Sequence, residues 1–327
     1  MHRRSTRAVL LSFLTEDRKS RSILPLLREW ESQADTLATR TQRLVTAAEE
    51  LRRSPAAGTV RECQLAWEAA RLPWERTEGF LVGKLRDEGW GERIDGWPIL
   101  PGEVEAELLD YAAQRSLRTR KSDCASAGPR GFHVLELLLY TVDGRGPATV
   151  ETIASHLAAE PDRLLFLNAM AASLCADCRQ FRQAAGSTSG GLAPDSLLAP
   201  LLLERWAELL EEACFAKVLL PVQRGDPSLL ESRWSQSTHR DVEANLEGMA
   251  RAGRLLLPAV AGRDHPELVE RWEAGMASCL RMVRSLPELS EVALHRALPA
   301  AESLFAAGHH LSQLISAELL PRARGAT

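Results

Sequence analysis

The chain predicts an all-α protein of two helical bundles, and three observations carry that expectation. Apolar residues recur at three-to-four spacing along nearly the whole chain, and no stretch bounded by turn residues alternates with period two. The segment Gly186-Ser187-Thr188-Ser189-Gly190-Gly191 reads as a linker between two sets of helical blocks. The expected units are residues 1–190 and 191–327, with short loops favouring antiparallel neighbours.

In the first helix, Ile23, Leu26, Leu27, Trp30, Ala34, Leu37, Leu44 and Val45 form one apolar stripe, which ends at Ser54-Pro55-Ala56-Ala57-Gly58-Thr59. Upstream, Arg3, Arg4 and Arg7 precede an apolar run from Ala8 to Leu14 that faintly resembles an export signal. No small-x-small cleavage site follows before Thr15, so an amphipathic first helix is expected instead. A second helix is expected over 60–85, with Pro73 placed to kink or split it. Glycines and prolines then crowd a loop holding Ile94-Asp95-Gly96-Trp97-Pro98, followed by a third helix over 103–117 and a fourth opening at Gly131. Residues 147–185 read as one long helix. Beyond the linker, blocks at 195–222, 236–257, 265–285 and 287–320 are separated by Gly225-Asp226-Pro227, by Gly262 to Pro266, and by Pro287. Eight tryptophans fall mostly on stripe positions, as core anchors whose indole N–H groups are expected at a bundle edge.

Composition narrows the function. A 45% hydrophobic and 26% charged chain is an ordinary globular one, and a net charge of −4 argues against a nucleic-acid binder. The longest apolar stretch, 164–176, is interrupted by Asn168 and too short to span a membrane. There is no G-x-S-x-G, no Walker loop, no G-x-G-x-x-G and no H-E-x-x-H, which counts against serine hydrolases, nucleotide-dependent enzymes (hence no nucleotide cofactor) and zincins. Cys63, Cys124, Cys175, Cys178, Cys214 and Cys279 are scattered, not a disulfide framework. Cys175 and Cys178 form a C-x-x-C inside a helix, away from the N-terminal dipole that activates redox thiols, and are expected as buried thiols.

One place looks built for chemistry. Gly131-Phe132-His133-Val134-Leu135-Glu136 puts an imidazole and a carboxylate one turn apart on a helix face, where both could reach one metal ion. The spacing alone decides little: with 8 histidines, about one such pair is expected by chance, and His156/Glu160 and His239/Glu243 are similarly spaced in plain surroundings. Upstream, Arg71 and Glu78 lie two turns apart on one face around Pro73, either as surface charges or re-aimed toward a pocket.

Together these segments resemble the imelysin family, also called peptidase family M75. The resemblance rests on Gly131-x-His133-x-x-Glu136, on Trp67-Glu68-Ala69-Ala70-Arg71 followed by Glu78-Gly79-Phe80, on Ile94-Asp95-Gly96-Trp97-Pro98, and on Trp234 to Thr238 with Asp241 and Asn245-Leu246-Glu247-Gly248. It implies two four-helix bundles related by duplication and a bacterial protein of the periplasm or envelope linked to iron or other metal uptake, with an uptake-system partner. Here no convincing export signal is read, and hydrolysis does not follow from the family's peptidase name.

A neutral imidazole and a carboxylate suit Fe, Zn or Mn. His133 and Glu136 are the expected metal ligands. Two ligands are too few, so Glu78 and Asp95 are the candidates to complete the set. Arg71 would orient a carboxylate or hold an anion, Gly131 would let another backbone pack close or cap the preceding turn, and Tyr140, one turn beyond Glu136, would either donate to it or pack in the core. Three functions compete: capture of a metal ion or metal complex, a metallopeptidase using a His133/Glu136-bound metal, and a metal-free scaffold for a peptide or polymer.

Overall fold

The computed structural model describes residues 5–116, 128–188, 195–287, 289–290 and 293–325; Cys124 and part of the Gly/Ser linker lie outside them. The described residues are mainly helical, with no strand. The first half holds α1 (Ser5–Arg53), α2 (Ala57–Thr77), α3 (Lys84–Asp87), α4 (Trp90–Asp95), α5 (Pro101–Ser116), α6 (Phe132–Tyr140), α7 (Val150–Ala159) and α8 (Pro161–Thr188). The second half holds α9 (Asp195–Glu211), α10 (Leu220–Arg224), α11 (Thr238–Ala261), α12 (Pro266–Arg284), α13 (Leu298–Leu314) and α14 (Leu320–Ala323). Among the described residues no helix is long and apolar enough to cross a membrane.

Helix α1 packs along α2 and α8, as its apolar stripe requires, while α12 packs along α11 and α13. The two groups meet where α2 lies against α11. Gly248 permits that meeting: a Cβ there would come within 2.4 Å of the Arg76 carbonyl oxygen. A continuous apolar core, anchored by fully buried Trp30, Trp67, Trp74, Trp206 and Trp272, runs through both groups.

Four expectations need correction. The helix expected over 147–185 is two, because Glu160 leaves the helical conformation (φ −120°, ψ 79°) and Pro161, which has no N–H to continue the ladder, opens α8. The helix expected to reach 85 passes through Pro73 without splitting and ends at Thr77, where a 3₁₀ turn over Glu78–Phe80 takes over. The block over 195–222 is helical but widens into a π-helical stretch at Glu212–Leu219. Several indoles point inward rather than to an edge: Trp67 Nε1 donates to the Phe132 carbonyl (2.9 Å), Trp206 to that of Gly79 (3.1 Å) and Trp234 to that of Gly144 (3.0 Å). Each pins a loop or helix end that the chain must hold in place.

A buried charged cluster at the α2–α11 seam

Seven segments deliver charged or polar side chains to one buried volume. Arg71 and Glu75 on α2 and Glu78 in the following turn share a face at four- and three-residue spacing. Asp95 ends α4, and His133 and Glu136 come from α6. Glu231 arrives from the loop before α11, Asp241 and Asn245 from α11 one turn apart, and Lys217 from the π-helical stretch. All are buried, with His133, Glu136 and Glu75 fully so.

Gly131 sets the register between α6 and α4. Its φ is +87°, and a Cβ would come within 2.3 Å of the Ile94 carbonyl oxygen, so only glycine brings His133 this close to Asp95. Trp74 Nε1 then donates to Asp95 Oδ2 at 2.9 Å, fixing that carboxylate against α2.

The ring of His133 sits between two carboxylates. Nδ1 lies 3.1 Å from Glu136 Oε2, and Nε2 lies 3.1 Å from Asp95 Oδ1 but off the hydrogen-bonding direction, without a hydrogen-bond partner. Glu136 has no capacity to spare. Its Oε1 accepts from the Trp234 N–H (3.0 Å), the Ser235 N–H (2.8 Å) and the Ser235 hydroxyl (2.8 Å). Of the two readings of Tyr140, core packing holds: the ring packs edge-on to Trp67, and the hydroxyl donates to Glu68 Oε1 at 3.1 Å, because α2 presents that acceptor beside it.

Arg71 is the hub of the cations. It pairs with Asp95, with Glu75 Oε1 (2.8 Å), with Asp241 Oδ1 (3.1 Å) and with Glu231 Oε1 (3.3 Å). Lys217 Nζ reaches Glu231 Oε1 (2.9 Å), Glu78 Oε2 (3.2 Å), Glu75 Oε2 (3.3 Å) and Asn245 Oδ1 (3.2 Å). Asn245 Nδ2 donates to the Glu75 carbonyl (2.8 Å) and to Glu78 Oε2 (2.7 Å), tying α11 to α2.

Charge does not balance inside this volume. Six carboxylates (Glu75, Glu78, Asp95, Glu136, Glu231, Asp241) face Arg71, Lys217 and, when protonated, His133. The excess shows in the titration of the acids. Burial, with Asp95 and Asp241 nearby, pushes Glu231 up to about 7 against the pull of Lys217 and Arg71. Burial likewise raises Glu75 well above the carboxylate range. Asp95 is held far below that range, because Arg71 and His133 outweigh burial. For His133, burial and the Arg71 charge favour the neutral ring, but Asp95 and Glu136 outweigh them and raise it to about 9.

Three sets of ligand atoms lie within 4.8 Å of one another: Asp95/His133/Glu231, Glu75/Glu78/Asp95 and Glu75/Glu231/Asp241. In the first set, both His133 Nε2 and Glu231 Oε2 are buried without a hydrogen-bond partner. A cavity of about 220 Å³ between Trp67, Arg71, Ser237, Arg240 and Asp241 leads from the surface to Arg71 and Asp241. The Glu68–Arg240 pair (3.1 Å) lies beside it.

The imelysin (peptidase M75) family model matches residues 31–315. The chain belongs to the imelysin family. That match takes in every residue of the cluster. The iron-regulated protein A of Synechococcus elongatus is 24% identical over 273 residues, covering 79% of this chain and 73% of that protein. Two solved structures share the fold. One is a protein described as an iron-regulated protein A precursor from Parabacteroides distasonis, with TM-score 0.75, 17% identity, and 95% of each chain covered. The other is an imelysin-like protein from Psychrobacter arcticum, with TM-score 0.76, 14% identity, and 95% of this chain and 96% of that one covered.

The structure brings together Arg71, Glu78, Asp95, Gly131, His133 and Glu136 from the sequence-derived set; Tyr140 stands apart, on Glu68. Sequence reasoning missed Glu75, Lys217 and Glu231. Glu75 was within reach, since it lies on the α2 face that carries Arg71 and Glu78. Lys217 left a weaker trace, a cation at helical spacing from buried Leu210, Ala213 and Cys214. Glu231 sits in a loop with no periodicity to flag it.

Proposed function

We propose that this imelysin-family chain binds a single metal ion, iron foremost, through His133 Nε2, Asp95 and Glu231. The observation that carries the reading is the convergence of His133, Asp95 and Glu231, whose ligand atoms lie within 4.8 Å of one another, with His133 Nε2 3.1 Å from Asp95 Oδ1 and Glu231 Oε2 buried without a hydrogen-bond partner. Buried polar atoms ordinarily have partners, and an unpartnered carboxylate oxygen on a residue of a converging ligand set fits a cation. Glu136 supports the same reading from outside the ligand set. Its carboxylate is filled by four donors and holds Nδ1–H, which fixes the ring and leaves Nε2 as the ligand.

One imidazole and two carboxylates make a mostly hard donor set, suited to Fe, Mn or Zn. A cation here also offsets part of the carboxylate excess. The metal-free ring is protonated at neutral pH, so binding must displace the Nε2 proton. The iron-regulated name of the Synechococcus relative agrees with iron as the cargo.

The peptidase reading has less support. A hydrolase needs a free carboxylate as base beside an open coordination position. Here Glu75, Glu78, Asp95, Glu231 and Asp241 each contact Arg71 or Lys217, and Glu136 is filled by donors.

The test is equilibrium dialysis against MnCl2 and, under argon, ferrous sulfate, with metal counted by mass spectrometry. Wild type is expected to retain about one equivalent, and His133→Ala and Glu231→Gln to lose it. Equal retention by all three proteins would refute the assignment.

A further inference from the structure

A buried lysine is the most unusual member of the cluster. Lysine is strongly hydrated, and burying its charge is unfavourable unless oxygens replace the water. Lys217 is 1% exposed, and four side-chain oxygens meet its ammonium at 2.9 to 3.3 Å: Glu231 Oε1, Glu78 Oε2, Asn245 Oδ1 and Glu75 Oε2. Three of these are carboxylate oxygens, a coordination sphere of the kind that holds a hard divalent cation. The stretch that delivers the lysine, Glu212–Leu219, is π-helical, a local departure that recurs where a side chain must be aimed at a site. The arrangement adjoins the set proposed above for a metal. Glu231 belongs to both, with Oε1 on Lys217 and Oε2 unpartnered, and Asp95 lies within ligand reach of Glu75 and Glu78.

We propose that Lys217 is a tethered cation filling a second cation subsite, made by Glu75, Glu78, Glu231 and Asn245, and that it limits the protein to one metal ion. Removing its charge opens that subsite to a divalent cation next to the first, with Glu231 bridging the two. The lysine thereby sets stoichiometry and suppresses a two-metal centre of the kind that supports hydrolytic chemistry. The count of one metal in wild type rests on the function proposed above; the existence of the Lys217 subsite does not.

The experiment uses the full chain and MnCl2 as probe. Bound Mn(II) is counted after dialysis and observed by electron paramagnetic resonance, in which an isolated ion gives a six-line spectrum and a carboxylate-bridged pair is exchange-coupled. Wild type is expected to bind one equivalent with a six-line signal. Lys217→Met is expected to bind two, with the six-line intensity lost to coupling, and Lys217→Arg, which keeps the charge, to stay at one. If Lys217→Met purifies poorly, Lys217→Gln is read in the same way. Lys217→Met binding no more Mn(II) than wild type overturns the proposal. Zero equivalents in wild type but one in Lys217→Met upholds the Lys217 subsite and removes the His133 site. One equivalent in both does the reverse, and zero in both removes both.

Discussion

Two pairs of side chains able to bind metal, each three residues apart on a helix, end in opposite surroundings. His133 and Glu136 on α6 meet charged groups from α2, α4 and the loop before α11, and one ring nitrogen is left without a partner. Cys175 and Cys178 on α8 are as deeply buried, yet burial, then Cys175 and Asp177 nearby, pushes the Cys178 thiol well above its usual range. A neutral thiol is a poor ligand, and among the described residues no ligand set includes either cysteine. Helical spacing is shared by both pairs. What separates them is whether other elements bring charged groups to converge on the ligands.

That contrast can be broken most forcefully at Arg71. Arg71→Met removes the cation shared by Glu75, Asp95, Glu231 and Asp241 and strands buried carboxylates. The expected loss is about 3–5 kcal/mol in urea unfolding. A loss under about 1 kcal/mol would mean that the carboxylates simply take up protons and that the hub role is wrong. By contrast, Cys178→Ala removes one buried sulfur and is expected to cost about 1–2 kcal/mol without changing metal content.

Gly131→Ala tests the backbone side of the comparison. It forces a side chain into a positive φ and against the Ile94 carbonyl, at an expected cost of about 1–3 kcal/mol. The decisive readout is metal retention, which should fall because Asp95 is displaced from His133. Retention unchanged at wild-type level would detach Gly131 from the site.

The pH dependence distinguishes the pairs again. His133 titrates at about 9 in the folded chain against an ordinary 6.5, so the fold binds the extra proton. Its contribution is complete below about 6.5 and is lost as pH rises through 9, a fall of at most ~3 kcal/mol in the metal-free protein. Glu231, raised to about 7, acts with the same sign at lower pH, its share fading between its ordinary 4.5 and 7. Unfolding followed at pH 6 and pH 9 should show the fall in wild type and a flatter profile in His133→Gln; parallel profiles would rule out the paired imidazolium. The smallest effect belongs to Tyr140→Phe, which removes the hydroxyl contacts to Glu68 (3.1 Å) and the Gln64 carbonyl (3.4 Å): about 0.5–1.5 kcal/mol by denaturation, with metal content unaltered. Metal loss in that variant would return Tyr140 to the site.

The helices and the α6 pair were legible in the sequence because periodicity and i,i+3 spacing are local properties. The break at Pro161 was local too, but the continuous stripe from Val150 to Leu174 masked it. Asp95 could be named through its Ile-Asp-x-Trp-Pro loop. The partner of Tyr140 could not, since whether its hydroxyl faces Glu136 or Glu68 depends on how α6 docks on α2. Glu231 and Lys217 join the cluster through the α2–α11 seam, and the chemistry of a lysine or glutamate there is set largely by Arg71, Glu75 and Glu78, more than a hundred residues away in the chain.

The most direct measurement is a crystal of the wild-type protein soaked in MnCl2, with an anomalous difference map collected at the manganese edge. The account expects one strong peak bonded to His133 Nε2 and to carboxylate oxygens of Asp95 and Glu231, with Glu136 still held by Trp234 and Ser235. A peak at Cys175 and Cys178 or on Glu136 instead, or no peak anywhere in the cluster, would contradict it.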